Sequence, residues 1–356
     1  MDLYDLASEA LLSRHAAFWR REEADLPLVS RGSLARHSRL GVLCGPDWPM
    51  EGRLSPDMLW PERIAQRAAR LMEGDDLVLG DAFAISQLGS AIPWLEAIVG
   101  CTIFYSLPND TIWAKTPAEP AWPLRVANWE HNPWLIRLVE IIQALAATCA
   151  DRLPVTTLHL RGATDLLGAY LGPSRLCLAA CDAPDDLVAS VAAAIDLIAA
   201  VVRHQNRSVP PFRGGYFSDF GLWAPGSTVI WSQDLSVLFS PSMYRRLFLE
   251  FDRQVAALTD WPVLHVHTAE AHCFPLWAEI PSLCIEITVD PSGPNLAQLL
   301  PRIAAMMQDH SVMLQVQDDH ELTLAVETLL SQGLFVQSRY AGGRPPVASD
   351  LQRFGI

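Results

Sequence analysis

From about residue 155 onward, short β-branched or apolar runs and helical segments alternate along the chain. In order they are Val155 to Leu160, Asp165 to Tyr170, a long helix from about Pro184 to His204, Thr228 to Trp231 and a helix from Pro241 to Leu258. The strand Pro262 to His267 follows, then Leu283 to Thr288, a helix Leu296 to Gln308, Ser311 to Gln317, a helix Glu321 to Gln332 and Leu334 to Gln337. Strands therefore recur about every 20 to 30 residues with helices between them, the spacing that parallel crossovers require. In a chain of 356 residues this predicts an α/β fold, a (β/α)8 TIM barrel with an irregular helical N-terminal extension. The predicted organisation is a single domain over 1–356, with 1–55 as the extension and 56–345 as the barrel. An open doubly wound sheet is the alternative architecture. No GxGxxG or GxxxxGK[ST] follows a strand, which argues against a dinucleotide or P-loop site.

The N-terminal part is less regular. An amphipathic helix is expected over Leu3 to Glu23, then an extended Leu26 to Ser30, then an arginine-dotted stretch from Arg31 to Arg53. Ser55-Pro56 fits a helix start, serine as cap and proline at the first helical position. Five prolines between residues 108 and 134 predict a long loop there. The apolar segment Leu187 to Val202 is too short to span a bilayer comfortably and carries Asp196, so it reads as a buried helix.

Composition narrows the function classes. Lys and Arg total 26 against 40 Asp and Glu, a formal net charge of −14. That balance argues against nucleic-acid binding, which needs a basic face. Seven cysteines without a CxxC pair fit buried thiols in a reducing compartment. With no secretory signal visible, a cytoplasmic protein is expected, with no membrane partner. Oligomeric state has no sequence signal.

The chemistry is expected where strands end in polar residues of one parity, since residues two apart share a face. His265 and His267 do so, as do Cys284, Glu286 and Thr288. Met313, Gln315, Gln317 and Asp319 form a third set; Ser232 with Asp234 and Gln337 with Arg339 complete the pattern. A structural barrel would fill such positions with Val, Ile and Leu, so the pattern marks a functional mouth. Imidazoles at i and i+2 can ligate one metal ion, with Glu286 or Cys273 as a further ligand. The same histidines can instead do acid–base work without metal. His272 and Cys273 are expected on a turn or short helix. Asp234 caps a loop or touches substrate, and Asp318, Asp319 and His320 belong to a helix entry. Arg31, Arg36 and Arg39 are candidates for an anion clamp. The tryptophans of the irregular half suit an aromatic cap over a flat or apolar substrate.

Several segments resemble the uroporphyrinogen decarboxylase superfamily, which includes cobalamin- and coenzyme M-linked methyltransferases. They are Ser232 to Phe248 with its Ser-Pro-x-x-Tyr core, Val263 to His267, Gly162 to Leu167 with Asp182 to Leu187, and Arg14 to Glu23 with Thr111-Ile-Trp113 and Asn132-Pro-Trp134. The resemblance covers most of residues 14 to 340 and implies the same (β/α)8 barrel. The decarboxylases carry an RQAGR-type motif where this chain has Arg31 to Arg39, and a Gly-His-Gly where it has Ser338-Arg339-Tyr340-Ala-Gly-Gly343, so heme-pathway decarboxylation is not implied. The methyltransferase branch binds zinc through His-x-Cys on this strand and a late cysteine. Here His265 matches, His267 replaces the first cysteine, and no cysteine follows Cys284. The resemblance thus implies a methyltransferase-like enzyme with catalytic His265, His267 and Asp234 and a zinc held by His265, His267 and Glu286. Gln317, Gln315, Ser232, Arg339 and Tyr340 would bind the small-molecule substrate. Any corrinoid would enter only through a partner protein. The alternatives are a cofactor-independent decarboxylase or lyase acting on a carboxylated small molecule, and a non-catalytic relative.

Overall fold

The computed structural model describes residues 9–31, 43–45, 47–71, 79–83, 85–86, 92–126, 128–149 and 154–338. Its strands are β1 (Leu28–Arg31), β2 (Glu51–Leu54), β3 (Leu79–Gly80), β4 (Thr102–Ser106), β5 (Thr111–Lys115), β6 (His159–Arg161), β7 (Tyr216–Phe217) and β8 (Trp223–Ala224). They continue with β9 (Thr228–Ser232), β10 (Trp261–His267), β11 (Cys284–Thr288), β12 (Val312–Val316) and β13 (Leu334–Ser338). The α-helices are α1 (Glu9–Arg20), α2 (Pro61–Leu71), α3 (Trp94–Ile98), α4 (Pro133–Cys149), α5 (Ala163–Leu171) and α6 (Pro173–Asp182). After them come α7 (Pro184–Ser208), α8 (Pro241–Leu247), α9 (Leu249–Ala256), α10 (Phe274–Trp277), α11 (Leu296–Met306) and α12 (Asp319–Thr328).

The main sheet runs β3-β1-β13-β12-β11-β10-β9-β6 in space. Seven of these strands are parallel; β3 is short and runs antiparallel to β1. From β9 to β13, spatial neighbours are also sequence neighbours, each pair joined through helix, as the strand spacing predicts. The expected closed ring of eight parallel strands is therefore observed as seven parallel strands with a two-residue antiparallel addition. The segment after β3 makes contacts near both ends of the sheet: the Asp81 N–H donates to the Val29 carbonyl of β1 at 2.8 Å, and Ser86 forms a parallel bridge with Val155, shortly before β6.

The two faces of the sheet bury different things. Val29, Trp231, Leu264, Ile285, Leu314 and Val336 pack into a large core with the helices. On the other face Leu28, Ile230, Val263, Cys284, Met313 and Phe335 meet Phe18 and Trp19 of α1, which closes the amino ends of the strands. Helix α1 is tied far along the chain: the Ser311 hydroxyl donates to the Phe18 carbonyl at 2.8 Å, and the Gln332 side-chain amide donates to the Arg21 carbonyl. Thus Leu28–Arg31, inside the stretch expected as an extension, is a strand of the main sheet paired with the last one.

Local chemistry accounts for several boundaries. Ser240 caps α8, its Oγ accepting from the Met243 N–H at 3.3 Å with Pro241 in the first turn. Asp318 caps α12 by accepting from the Glu321 N–H at 2.9 Å, as expected of a helix entry. The helix expected over Pro241 to Leu258 is broken at Phe248, whose ring is wholly buried. Ser55-Pro56 opens only a 3-10 turn, Pro56–Met58, and the α-helix begins at Pro61. The loop expected between residues 108 and 134 contains β5, which joins β2 and β4 in a three-stranded antiparallel sheet. Its alternating exposure, Thr111, Trp113 and Lys115 outward against Ile112 and Ala114, is a period-two pattern that the nearby prolines obscure. Among the described residues, no helix is long and apolar enough to cross a membrane; Leu187 to Val202 lies in α7, which buries one side in the core.

Candidate metal centre

His265 and His267 lie at the carboxyl end of β10 and on one face, and their Nε2 atoms approach to 3.3 Å. Asp234 follows the neighbouring strand β9, whose Ser232 is in register with His265. One ligand atom from each of Asp234, His265 and His267 lies within 4.8 Å of the others.

The tautomers follow from what stands behind each ring. Glu286, fully buried on the adjacent β11, sits against Nδ1 of His265, and its other oxygen accepts from the Thr288 hydroxyl at 3.1 Å. Asp290 stands 2.5 Å from Nδ1 of His267. A carboxylate at Nδ1 makes that nitrogen the donor and turns the Nε2 lone pair outward. Two lone pairs facing one another at 3.3 Å repel, so the geometry asks for a cation between them, either a metal ion or a shared proton. Two nitrogens at zinc-ligand distance on a tetrahedral ion stand about 3.3 Å apart, which matches.

Asp234 supplies the third corner. Its Oδ2 accepts from Arg161 at 3.0 Å, whereas its Oδ1 is buried with no hydrogen-bond partner. Burial would raise its pKa, but His265, Arg161 and His267 outweigh that and hold the carboxyl below its ordinary range. His265 is pushed the other way: burial disfavours its charge, yet Glu286 prevails and raises it.

The loop carrying Asp234 is fixed by polar contacts from three directions. The Asp165 carboxylate accepts from the N–H groups of Asp234 (3.2 Å) and Leu235 (2.8 Å) and from the Ser232 hydroxyl (2.8 Å). Gln233 accepts from the Thr164 hydroxyl at 2.6 Å and donates to Asp252 at 2.7 Å. Asp252 also receives Trp231, Tyr244 and Trp277; burial pushes its carboxyl up to about 6. Gly162 completes the fit, because a Cβ there would lie 2.4 Å from the Ser232 carbonyl and 2.6 Å from Gln233.

Beside the triad lies a cavity of about 400 Å³, lined by Trp94, Glu96, Trp113, His159, Arg161 and Asp234 among others. Arg161 reaches three carboxylates, with Asp165 at 3.8 Å and Glu96 at 3.9 Å besides Asp234. Glu96 is 4% and Trp94 3% exposed, and Glu96 Oε2 and Trp94 Nε1 are buried without hydrogen-bond partners. Burial pushes the Glu96 carboxyl up to about 7. His159 packs its ring against His265 with centroids 4.8 Å apart, and burial lowers its pKa.

The expected site residues divide. His265, His267 and Asp234 come together. Glu286, expected as a ligand, is instead behind His265, on the nitrogen that points away from His267. Ser232 is engaged by Asp165, and Gln317 donates its side-chain amide to the Val289 carbonyl. Gln315 is buried on β12. Arg31 is buried and 3.3 Å from Asp319. Arg36, Arg39, Arg339 and Tyr340 lie outside the described residues. His272 sits on the 3-10 turn Thr268–Cys273 with its Nε2 3.0 Å from the Phe239 carbonyl, and burial pushes the Cys273 thiol up to about 12. The residues that strand parity overlooked are Asp290, Arg161, His159 and Glu96. Asp290 continues the Cys284, Glu286, Thr288 series by one more step, and His159 with Arg161 repeats the i, i+2 pattern on β6. Glu96, on the five-residue α3, carries no such signal.

Among solved structures the chain is similar to a methyltransferase from Methanosarcina mazei, with a TM-score of 0.64 over 97% of each chain and 12% sequence identity. At that identity the likeness is one of fold. No protein-family model matches the sequence, and no curated protein matches it.

Proposed function

We propose that the protein is a metal-assisted methyltransferase of the uroporphyrinogen decarboxylase superfamily, a cytoplasmic enzyme built as one barrel unit with its site at the carboxyl ends of the strands. The observation that carries this reading is the convergence of His265 Nε2, His267 Nε2 and the partnerless Asp234 Oδ1. Two nitrogens and one oxygen form a donor set suited to zinc, with a fourth position left for substrate. A bound zinc would lower the pKa of a thiol acceptor and present it as a thiolate.

The chain's own residues do the rest. Glu286 and Asp290 hold the two imidazoles in the ligating tautomer. Arg161 occupies Asp234 Oδ2 and so directs Oδ1 inward, while Asp165 fixes the loop beneath it. The adjoining cavity holds the small-molecule methyl donor. Where a corrinoid takes part, a partner protein carries it.

The test is metal content of the purified full-length protein beside a His265→Ala/His267→Ala double variant, by inductively coupled plasma mass spectrometry. About one zinc per chain, lost in the variant, with methyl transfer to a thiol abolished by chelation and restored by zinc, is the expected result. Full activity in metal-free protein would end the metal-assisted mechanism. The 3.3 Å separation is also a hydrogen-bond length, so a shared proton would give an acid–base pair; carbon dioxide release that survives chelation would support that lyase reading.

A further inference from the structure

The cavity beside the triad is acidic and aromatic. Glu96, Asp165 and Asp234 line it against one guanidinium, Arg161. Asp165 is already engaged by two N–H groups and the Ser232 hydroxyl, and Asp234 faces the histidines. Glu96 differs: it is buried, and its Oε2 is aimed at no donor among the described residues. Arg161 is shared among three carboxylates, so it cannot fully offset Glu96. The imbalance persists when a divalent ion claims Asp234, because Glu96 and Asp165 then still face one guanidinium.

The aromatic walls point the same way. Trp94 and Trp113 both line the cavity. Trp113 is stacked on Phe104 at 5.8 Å between centroids, and Trp94 stands edge-on to Trp134 at 5.9 Å, so neither ring needs ordering on binding. Indole faces attract cations, most strongly where water is excluded. Above about pH 7, where Glu96 is ionised, a carboxylated ligand would by contrast meet an excess of negative charge.

We propose that this cavity binds a cationic methylated ligand, a quaternary or tertiary methylammonium compound, held beside the Trp94 and Trp113 rings and the Glu96 carboxylate. As the methyl donor this rests on the methyl-transfer reading; as a binding site it does not. The transfer balances without a further reactant. The thiolate sulfur bonds to the methyl carbon, the carbon–nitrogen bond breaks with its electron pair on nitrogen, and the amine leaves one charge lower with no proton supplied. A cavity of about 400 Å³ falls within the range of small-molecule sites, roughly 300 to 1,000 Å³.

The experiment is isothermal titration calorimetry at pH 8, above the Glu96 transition, on chelator-dialysed protein with four probes: tetramethylammonium, choline, the neutral isostere 3,3-dimethylbutan-1-ol and the anion 3,3-dimethylbutanoate. Both cations should bind, at least tenfold tighter than the neutral isostere, and the anion not at all. Glu96→Gln should remove at least tenfold of the cation affinity at unchanged melting temperature. Trp113→Ala, at a ring 43% exposed and so dispensable for folding, should weaken it several-fold. Equal binding of neutral and cationic probes, preference for the anion, or no cation binding would overturn the proposal, as would intact affinity in Trp113→Ala. Cation binding without methyl transfer from any methylammonium donor would leave the site standing and defeat the methyl-transfer reading instead.

Discussion

At their amino ends, β1 and β9 to β13 turn Leu28, Ile230, Val263, Cys284, Met313 and Phe335 to one face, where α1 covers them. Two residues further along, the same strands present Ser30, Ser232, His265, Glu286, Gln315 and Gln337, all buried as well. Both layers share backbone, parity and seclusion from water, yet one is apolar and the other polar throughout. In the apolar layer burial itself is the stabilising effect, roughly 25 cal/mol per Å². In the polar layer burial is a cost that each group must offset with a partner, as Gln337 does with Ser30 at 2.9 Å and Glu286 with His265. The comparison teaches that one strand can keep stability at one end and chemistry at the other, separated by one pleat repeat.

That division can be broken by substitution. The largest effect is expected from His267→Ala, which should cut methyl transfer at least about a thousandfold, or ~4 kcal/mol in the barrier. It should leave unfolding free energy within about 1 kcal/mol, since its partner Asp290 is partly exposed. Kinetics and urea unfolding on the same sample check both halves. A stability loss matching that of a core truncation would mean that the polar layer holds the fold.

Phe335→Ala is the converse. Its ring is fully buried against Phe18, and truncation should cost about 3 to 5 kcal/mol of stability while zinc content stays unchanged. Loss of metal in a folded Phe335→Ala protein would show that the two layers are coupled.

The smallest effect concerns His15, an imidazole buried at the apolar end. Its Nε2 donates to the Asp81 carbonyl at 2.6 Å and its Nδ1 accepts from the Trp223 N–H at 3.1 Å. Burial drives its pKa from 6.5 to about 4, only partly opposed by the Asp81 contact. The unfolded chain therefore takes a proton below pH 6.5 that the folded one refuses. The stabilisation is complete above that value and drains away as pH falls towards 4, by on the order of 3 kcal/mol. Urea midpoints at pH 7 and 4.5 should diverge for the native protein by more than for His15→Gln; an equal divergence would remove His15 as the cause.

Much of this arrangement is legible in the chain because side-chain alternation is a local property. The in-phase pairs His265/His267 and Ser232/Asp234 needed no tertiary knowledge, and the strand-to-helix rhythm placed β9 to β13 within a residue or two. What was not legible depends on distant parts meeting. Glu286 looks like a ligand by parity, but only the register of β11 against β10 reveals that it reaches His265 from behind. The cavity is assembled from α3, β5, β6, α5, the start of α6 and the turn carrying Asp234, which lie far apart in the chain and share no common pattern. The proline-rich flank hid β5, since turn-forming residues outvote a five-residue alternation.

The tie between α1 and the last strands has a consequence for how the chain is made. β1 leaves the ribosome long before its parallel partner β13, which begins at Leu334, and Phe18 is bonded to a residue 293 positions later. At cellular elongation rates of about 5–20 residues per second, roughly 15 to 60 s separate the two strands. Through that interval β1 offers an unpaired apolar edge, the kind of surface that recruits neighbouring nascent chains. Ribosome-bound chains ending before β13 are thus the species for which holding factors matter most, because the main sheet can be completed only once the segment through β13 has emerged.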